Sequence, residues 1–140
     1  MFQISAFEAL EVKNSSIVAV GSTVLPLAFG LLAIREQEIP SNAKWALILA
    51  IACYVLVLVC AWWASRVRAL EFRPHLPTLQ SYRQAYSGNA LQAWVADEYV
   101  SSTLENAAPL RTKARLVGSA NTFLFAEGIF LAAAAALTLL

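Results

Sequence analysis

The chain has 140 residues, enough for one domain, and its formal net charge of +1 gives no sign of a nucleic-acid-binding surface. Apolar residues make up 59% of it and charged residues 14%, against about 45–50% and about 25% in a typical soluble domain. A chain this short has too little interior to hide that excess, so the composition argues against a soluble protein and favours a membrane protein.

Residues 1–15 form an amphipathic opening segment. The sequence FQISAFEALEVK brings Phe2, Phe7 and Leu10 close to one face of a helix. Three placements are open for this segment: on the membrane surface, against a helix outside the membrane, or in one helix continuous with the apolar run that follows. Glutamates outnumber lysines in it, which is unlike the basic start of a signal peptide.

Three apolar runs follow, over residues 16–34, 45–64 and 118–140. The first two carry no charged residue, and the third carries only Glu127. About 20 such residues cross a bilayer core, and a helix of a soluble bundle would show polar residues every three or four positions. The sequence therefore predicts an all-α integral membrane protein with three transmembrane helices.

The ends and the interior of these runs support the same reading. Trp45 opens the second run and Trp62 with Trp63 closes it, as expected for indole rings at the two lipid–water boundaries. Pro26 is predicted to kink the first helix. The two cysteines stand seven positions apart in the second run, too far for a disulfide on one helix face, and are typical of small packing residues.

Residues 65–117 form a polar segment that is rich in basic residues near the span ends. These residues are Arg66, Arg68, Arg111, Lys113 and Arg115. Because basic residues favour the cytoplasmic side, we expect this segment and the N-terminus in the cytoplasm and the C-terminus outside a plasma (inner) membrane. The same five side chains are predicted to contact lipid headgroups. The more specific alternative is that they bind an anionic ligand.

Within residues 65–117 the pattern predicts a helical segment. RPHLP, at 73–77, ends the second helix, and residues 78–86 form a short helix. Asn89 is predicted to cap a longer helix, and Pro109 marks a restart that leads into the third span.

No catalytic or cofactor motif is visible. His75 is the only histidine, and no spacing of carboxylates around it indicates a metal site. Asp97 and Glu98 are adjacent, so on a helix they point about 100° apart and do not face each other as an acid–base pair. We therefore expect no enzyme, no metal and no cofactor.

The third span holds the candidate functional residues. Gly128, Ala132 and Ala136 form a small-residue stripe that favours close helix contact in lipid, and Asn121 lies on the same face. Glu127 lies roughly a third of a turn away. Three arrangements are open for it: a neutral acid bonded to hydroxyls such as those of residues 22, 23 and 54 or to a carbonyl, a neutral acid at a subunit contact, or a group lining a wet pore.

The segment NAAPLRTKARL, at 106–116, introduces the third span as N-x₆-K-A-x-L. With the amphipathic opening, the helical hairpin and the polar helical segment, it resembles small bacterial transmembrane effector modules of antiviral defence, the SLATT-like domains and the Pycsar-like membrane effectors. The resemblance implies a membrane part that assembles into pores or disrupts the bilayer when triggered. This chain has no recognisable nucleotide-sensing domain, so a sensor or signalling partner would supply the trigger, or the cytoplasmic helices would bind it.

The leading hypothesis is therefore an oligomerising, membrane-perturbing effector whose partners are the lipid bilayer and copies of itself. Gly128, Ala132 and Ala136 would make the contact, and Glu127 and Asn121 would face the pore or interface. The alternative is a structural subunit of a larger membrane complex, in which Glu127 meets a basic residue of another protein.

Overall fold

A computed structural model of the chain describes residues 2–33, 38–67 and 88–139. These residues form three α-helices: α1 over Phe2–Ala33, α2 over Ser41–Arg66 and α3 over Asn89–Leu139. Each is long and apolar enough to cross a membrane, which confirms the predicted helical class and the three candidate spans. The helix predicted at 78–86 and the residues Arg68 and His75 lie outside the described ranges.

Helix α1 joins the opening segment to the first apolar run without a break. The described part of residues 1–15 takes the continuous helix. It also packs against α3, because Glu11 forms an ion pair with Lys113. The helix also continues through Pro26, which has no N–H to donate to the preceding turn.

Helix α2 has clear ends. It begins after Pro40, whose carbonyl oxygen accepts a hydrogen bond of 3.1 Å from the Lys44 N–H. It ends where Val67 turns to extended backbone and donates its N–H to the Ala64 carbonyl oxygen at 3.3 Å. Trp45 thus lies in the first turns of the helix and Trp62 in the last.

Helix α3 corrects two predictions. Gly88, not Asn89, caps its start: Gly88 has φ +61°, a conformation that glycine adopts without strain, and its carbonyl oxygen accepts from the Gln92 N–H at 3.3 Å. The restart predicted at Pro109 is wrong, because α3 runs unbroken through it. Residues on both sides of the proline, Asn106 and Lys113, are buried, and Lys113 ties α3 to α1 through its ion pair with Glu11.

The length of α3 separates it into two parts. Its 51 residues span about 75 Å, more than twice the roughly 30 Å of a bilayer core. Only the C-terminal part of α3 is apolar enough to match a span. The N-terminal part, from Asn89 to the level of Lys113, therefore extends roughly 35 Å beyond the apolar region.

A seven-residue spacing defines the buried face of each helix, which we call the heptad seam. In α2 the seam residues are completely buried: Ala43, Ala50, Val57 and Ala64. In α3 the matching residues are no more than 5% exposed: Asn106, Lys113, Ala120, Glu127 and Ala134. In α1 the same spacing joins the buried Asn14 and Gly21 with the partly buried Phe7 and Ala28. Small residues at this spacing allow the helices to approach closely.

The helices pack with α2 antiparallel to α1 and α3, around two apolar clusters. The first cluster contains Ile17, Val57, Ala64, Val117 and Ala120. The second cluster contains Ala46, Leu47, Ala50, Leu131 and Ala134. In each cluster, residues near one end of α2 pack against residues near the opposite end of the apolar part of α3. Helix α2 therefore runs antiparallel to α3. Many large apolar side chains point outward instead, as suits helices surrounded by lipid.

Candidate functional site

Glu127 lies on the heptad seam between the two apolar clusters. In α3, Leu124 packs against the first cluster and Leu131 belongs to the second, so Glu127 occupies the turn between them. Its side chain is 1% exposed. Neither carboxyl oxygen has a hydrogen-bond partner among the described residues. The middle of the bundle thus holds a covered but unsatisfied acid.

Other polar groups lie near the same level. The hydroxyls of Ser22 in α1 and Tyr54 in α2 bond to each other at 2.9 Å. Cys53, which directly precedes Tyr54 in α2, is partly buried. We call Ser22, Cys53, Tyr54 and Glu127 the polar layer.

Among the described residues, Glu127 does not form the hydrogen bonds of the first arrangement predicted for it. The hydroxyls of Ser22 and Tyr54 are bonded to each other, and Thr23 donates to the Ala19 carbonyl oxygen at 2.7 Å. Glu127 makes no hydrogen bond to any of these groups or to a described backbone carbonyl. The carboxyl group is therefore not satisfied within the described part of one chain.

The small-residue stripe of α3 faces away from the bundle. Gly128, Ala132 and Ala136 are exposed, and so is Asn121. A Cβ atom added at Gly128 would meet no atom within 4 Å outside its own helix. The stripe is thus not used for packing among the described residues, whereas Glu127 belongs to the adjoining, buried face.

Lys113 requires a correction. It was predicted to contact lipid headgroups or an anionic ligand, but its side chain is 0% exposed. Its ammonium group forms an ion pair with the Glu11 carboxylate of α1 and lies 3.7 Å from the centroid of the Phe7 ring. A headgroup cannot reach it, because the opening segment of α1 covers it.

The other basic residues in the described ranges remain accessible. Arg111 and Arg115 are exposed on α3. Arg66 is also exposed, and its guanidinium carbon lies 3.9 Å from the centroid of the Trp62 ring. That contact places a cation and an indole ring together at one end of α2, where a lipid–water boundary is expected.

Asn14 is a buried polar residue that the sequence reading did not single out. Its Nδ2 donates to the Ala61 carbonyl oxygen and to the Ser65 hydroxyl, each at 3.2 Å, and so ties α1 to α2. Its Oδ1 is buried and has no partner among the described residues.

Regular spacing was the signal that would have identified these residues. Lys113 and Glu127 stand two heptads apart, with Ala120 midway, and Asn14 stands one heptad before Gly21. Reading the polar residues together with the small ones at this spacing would have grouped Lys113 with Glu127, and Asn14 with Gly21, on one helix face each.

Comparisons with protein-family models, with curated proteins and with solved structures found no match to this chain. In the described ranges, no three His, Cys, Asp or Glu side chains come together as possible ligands for a metal ion.

Proposed function

We propose that this chain is a plasma-membrane protein that assembles with copies of itself and, once assembled, permeabilises or perturbs the bilayer. The observation that carries the proposal is the pairing, on one helix, of an open small-residue face with a buried and unsatisfied acid. This is the behaviour of the antiviral effector modules that the layout resembles.

The open face supplies a contact for a second copy. Gly128, Ala132 and Ala136 leave the α3 backbone uncovered toward lipid. In a bilayer the hydrophobic effect does not drive helices together, because lipid tails are as apolar as the helices. Close packing of their backbones drives the association instead. Asn121 lies on the same face, where its amide can hydrogen-bond across the contact.

The carboxyl group of Glu127 favours the entry of water into the assembled state. A charge at the bilayer centre costs about 2.5–3.5 kcal/mol on insertion scales, and Glu127 has no counter-charge in the three spans. Rotation of α3 about its own axis would move Glu127 out of the seam. Because Glu127 lies about a third of a turn from the small-residue stripe, it would then line the edge of a contact that the stripe makes. In an oligomer, several such carboxyls would then meet, which favours a hydrated lining.

The projecting part of α3 offers a place for the trigger to act. With residues 65–117 in the cytoplasm, as the basic residues favour, about 35 Å of helix would reach from the membrane toward a sensor or signalling partner. Because the same helix carries Glu127, a pull or twist at its cytoplasmic end is transmitted directly to the membrane.

Native mass measurement of the purified chain in nanodiscs tests the assembly step. Gly128→Leu fills the open face, whereas Gly30→Leu is a matched control, since an added Cβ at Gly30 also meets nothing within 4 Å. We expect a homo-oligomer that Gly128→Leu reduces to smaller species and that Gly30→Leu leaves unchanged. A monomer in every preparation would contradict the proposal.

Dye release from liposomes tests the permeabilising step. We expect release by the oligomeric chain, a large reduction by Glu127→Ala, and no release by Gly128→Leu. An oligomer that releases no dye at any protein density, with or without Glu127, would remove the pore-forming function.

A structural subunit of a larger complex is the second candidate, and one observation favours it. Tyr99, Val100 and Leu104 are more than half exposed on the projecting part of α3, with exposed fractions of 55%, 60% and 71%. Exposed apolar side chains outside the lipid suit a protein partner. Isolation of the chain only in stoichiometric complex with a different subunit would favour this role over the effector.

A further inference from the structure

A groove lies between α1 and α2 at one end of the bundle; we call it the boundary groove. Its volume is about 540 Å³. The residues that line it include Glu11, Asn14, Val18, Leu58, Trp62 and Ser65.

The lining changes from polar to apolar along the groove. Glu11, Asn14 and Ser65 lie at or beyond the ends of the apolar runs at 16–34 and 45–64. Val18 and Leu58 lie inside those runs. The groove therefore crosses the level where phospholipid headgroups give way to acyl chains.

Asn14, one of the lining residues, carries a buried acceptor without a donor. Asn14 is 6% exposed, and its Oδ1 has no hydrogen bond within the described residues. The amide orientation is set by chemistry, because Nδ2 faces the Ala61 carbonyl oxygen, which only accepts. The Ser65 hydroxyl already donates to the same carbonyl at 2.9 Å, so it is not the missing donor. A ligand that fits must bring an N–H or O–H group.

The surroundings favour a cationic donor close to an anion. The Glu11 carboxylate lines the same groove and is half exposed, and one of its oxygens is bonded to Lys113. Trp62 presents its ring there, and Arg66 stacks on that ring at 3.9 Å. Acceptors and a carboxylate in the groove, with a guanidinium stacked on the ring of a lining residue, match an ammonium group linked to a phosphate.

We propose that the boundary groove binds a phospholipid with a primary-amine headgroup of the phosphatidylethanolamine class. The ammonium group donates to Asn14 Oδ1 and to the Glu11 carboxylate, the phosphate meets Arg66, and one acyl chain lies along Val18 and Leu58. A quaternary choline headgroup has no N–H and cannot satisfy Asn14. This site requires that the helices span a bilayer, but it does not require assembly or permeabilisation.

Lipid binding to the purified chain in detergent tests the site. Native mass spectrometry would compare phosphatidylethanolamine with phosphatidylcholine carrying the same acyl chains. We expect the primary-amine lipid to bind about tenfold more tightly, the effect of one charge-assisted hydrogen bond. Equal binding of the two lipids would overturn the proposal. So would equal binding of water-soluble phosphoethanolamine, because it lacks the acyl chains that the apolar half of the groove would hold.

Two pairs of variants locate the site. Asn14→Leu should bring the preference to about one; if this variant does not fold, the tryptophan pair decides. Trp62 and Trp63 are similarly exposed, at 53% and 57%, but only Trp62 lines the groove. We expect Trp62→Leu to weaken binding of the primary-amine lipid several-fold and Trp63→Leu to leave it unchanged. An equal loss in both variants would contradict a site in this groove.

Discussion

The ion pair between Lys113 and Glu11 should respond unequally to removal of its two partners. Lys113 is 0% exposed and Glu11 is 49% exposed. Glu11→Ala leaves the ammonium group buried, with the Phe7 ring 3.7 Å away as its remaining contact in the described residues. Lys113→Met removes the buried charge, fills the same space with an apolar chain, and leaves a carboxylate that water can reach.

The magnitudes follow from that difference in exposure. Removing one partner of a buried pair costs about 3–5 kcal/mol when the remaining charge stays buried, and half exposure of this pair favours the lower end, about 3 kcal/mol. Lys113→Met loses an attraction comparable to a surface pair, about 0–1 kcal/mol, and a cation–π contact, so its cost is about 1 kcal/mol. The double variant should unfold like Lys113→Met, because no unpaired buried charge remains.

Equilibrium unfolding in mixed detergent micelles, followed by far-ultraviolet circular dichroism, measures these free energies. Glu8→Ala is the control, since Glu8 is exposed on the same helix, and it should stay within about 0.5 kcal/mol of the unchanged chain. A larger loss for Lys113→Met than for Glu11→Ala would refute the reasoning. A double variant as unstable as Glu11→Ala alone would do the same.

Three further outcomes are expected. Glu127→Leu should raise the free energy of unfolding by about 1–3 kcal/mol, because it removes a buried acid with no hydrogen-bond partner in the described residues. A loss of stability in this variant would show that the acid is hydrogen-bonded. Gly21→Leu should destabilise the fold by about 1–3 kcal/mol, because an added Cβ already lies 3.2 Å from a tyrosine ring atom. Gly30→Leu should have little effect, because an added Cβ there meets nothing within 4 Å. Equal effects of the two variants would contradict the packing of α1. In a chain without its native cysteines, an impermeant maleimide applied to intact cells should label Ser41→Cys and not Ser101→Cys; the reverse would invert the proposed orientation.

The position of Glu127 shows how much of the candidate site can be predicted from the sequence alone. Its isolation from basic residues is evident in the sequence, and so is its place about a third of a turn from Gly128. Which of these two faces is buried within the chain depends on where α2 packs, and helix periodicity alone leaves both faces equivalent. In the fold, α2 covers the face of Ala120 and Ala134, and Gly128 is left outside.

The sequence by itself determined that this chain forms long apolar helices. A backbone in lipid must satisfy its N–H and C=O groups internally, so three uncharged or nearly uncharged runs of sufficient length leave few alternatives to helices. The start of α3 lies next to Gly88, within one residue of the cap predicted at Asn89, because helix starts depend on local chemistry. These features depend on residues close together in the chain.

Only the tertiary structure decided which polar residues meet lipid and which are enclosed. Lys113 resembles Arg111 and Arg115 in its sequence context, yet it is buried because it pairs with a carboxylate 102 positions earlier. Asn14 is buried because α2 returns alongside α1 and presents Ala61 and Ser65 to its amide. Such burial is a property of helices brought together from distant parts of the chain, and no local pattern contains it.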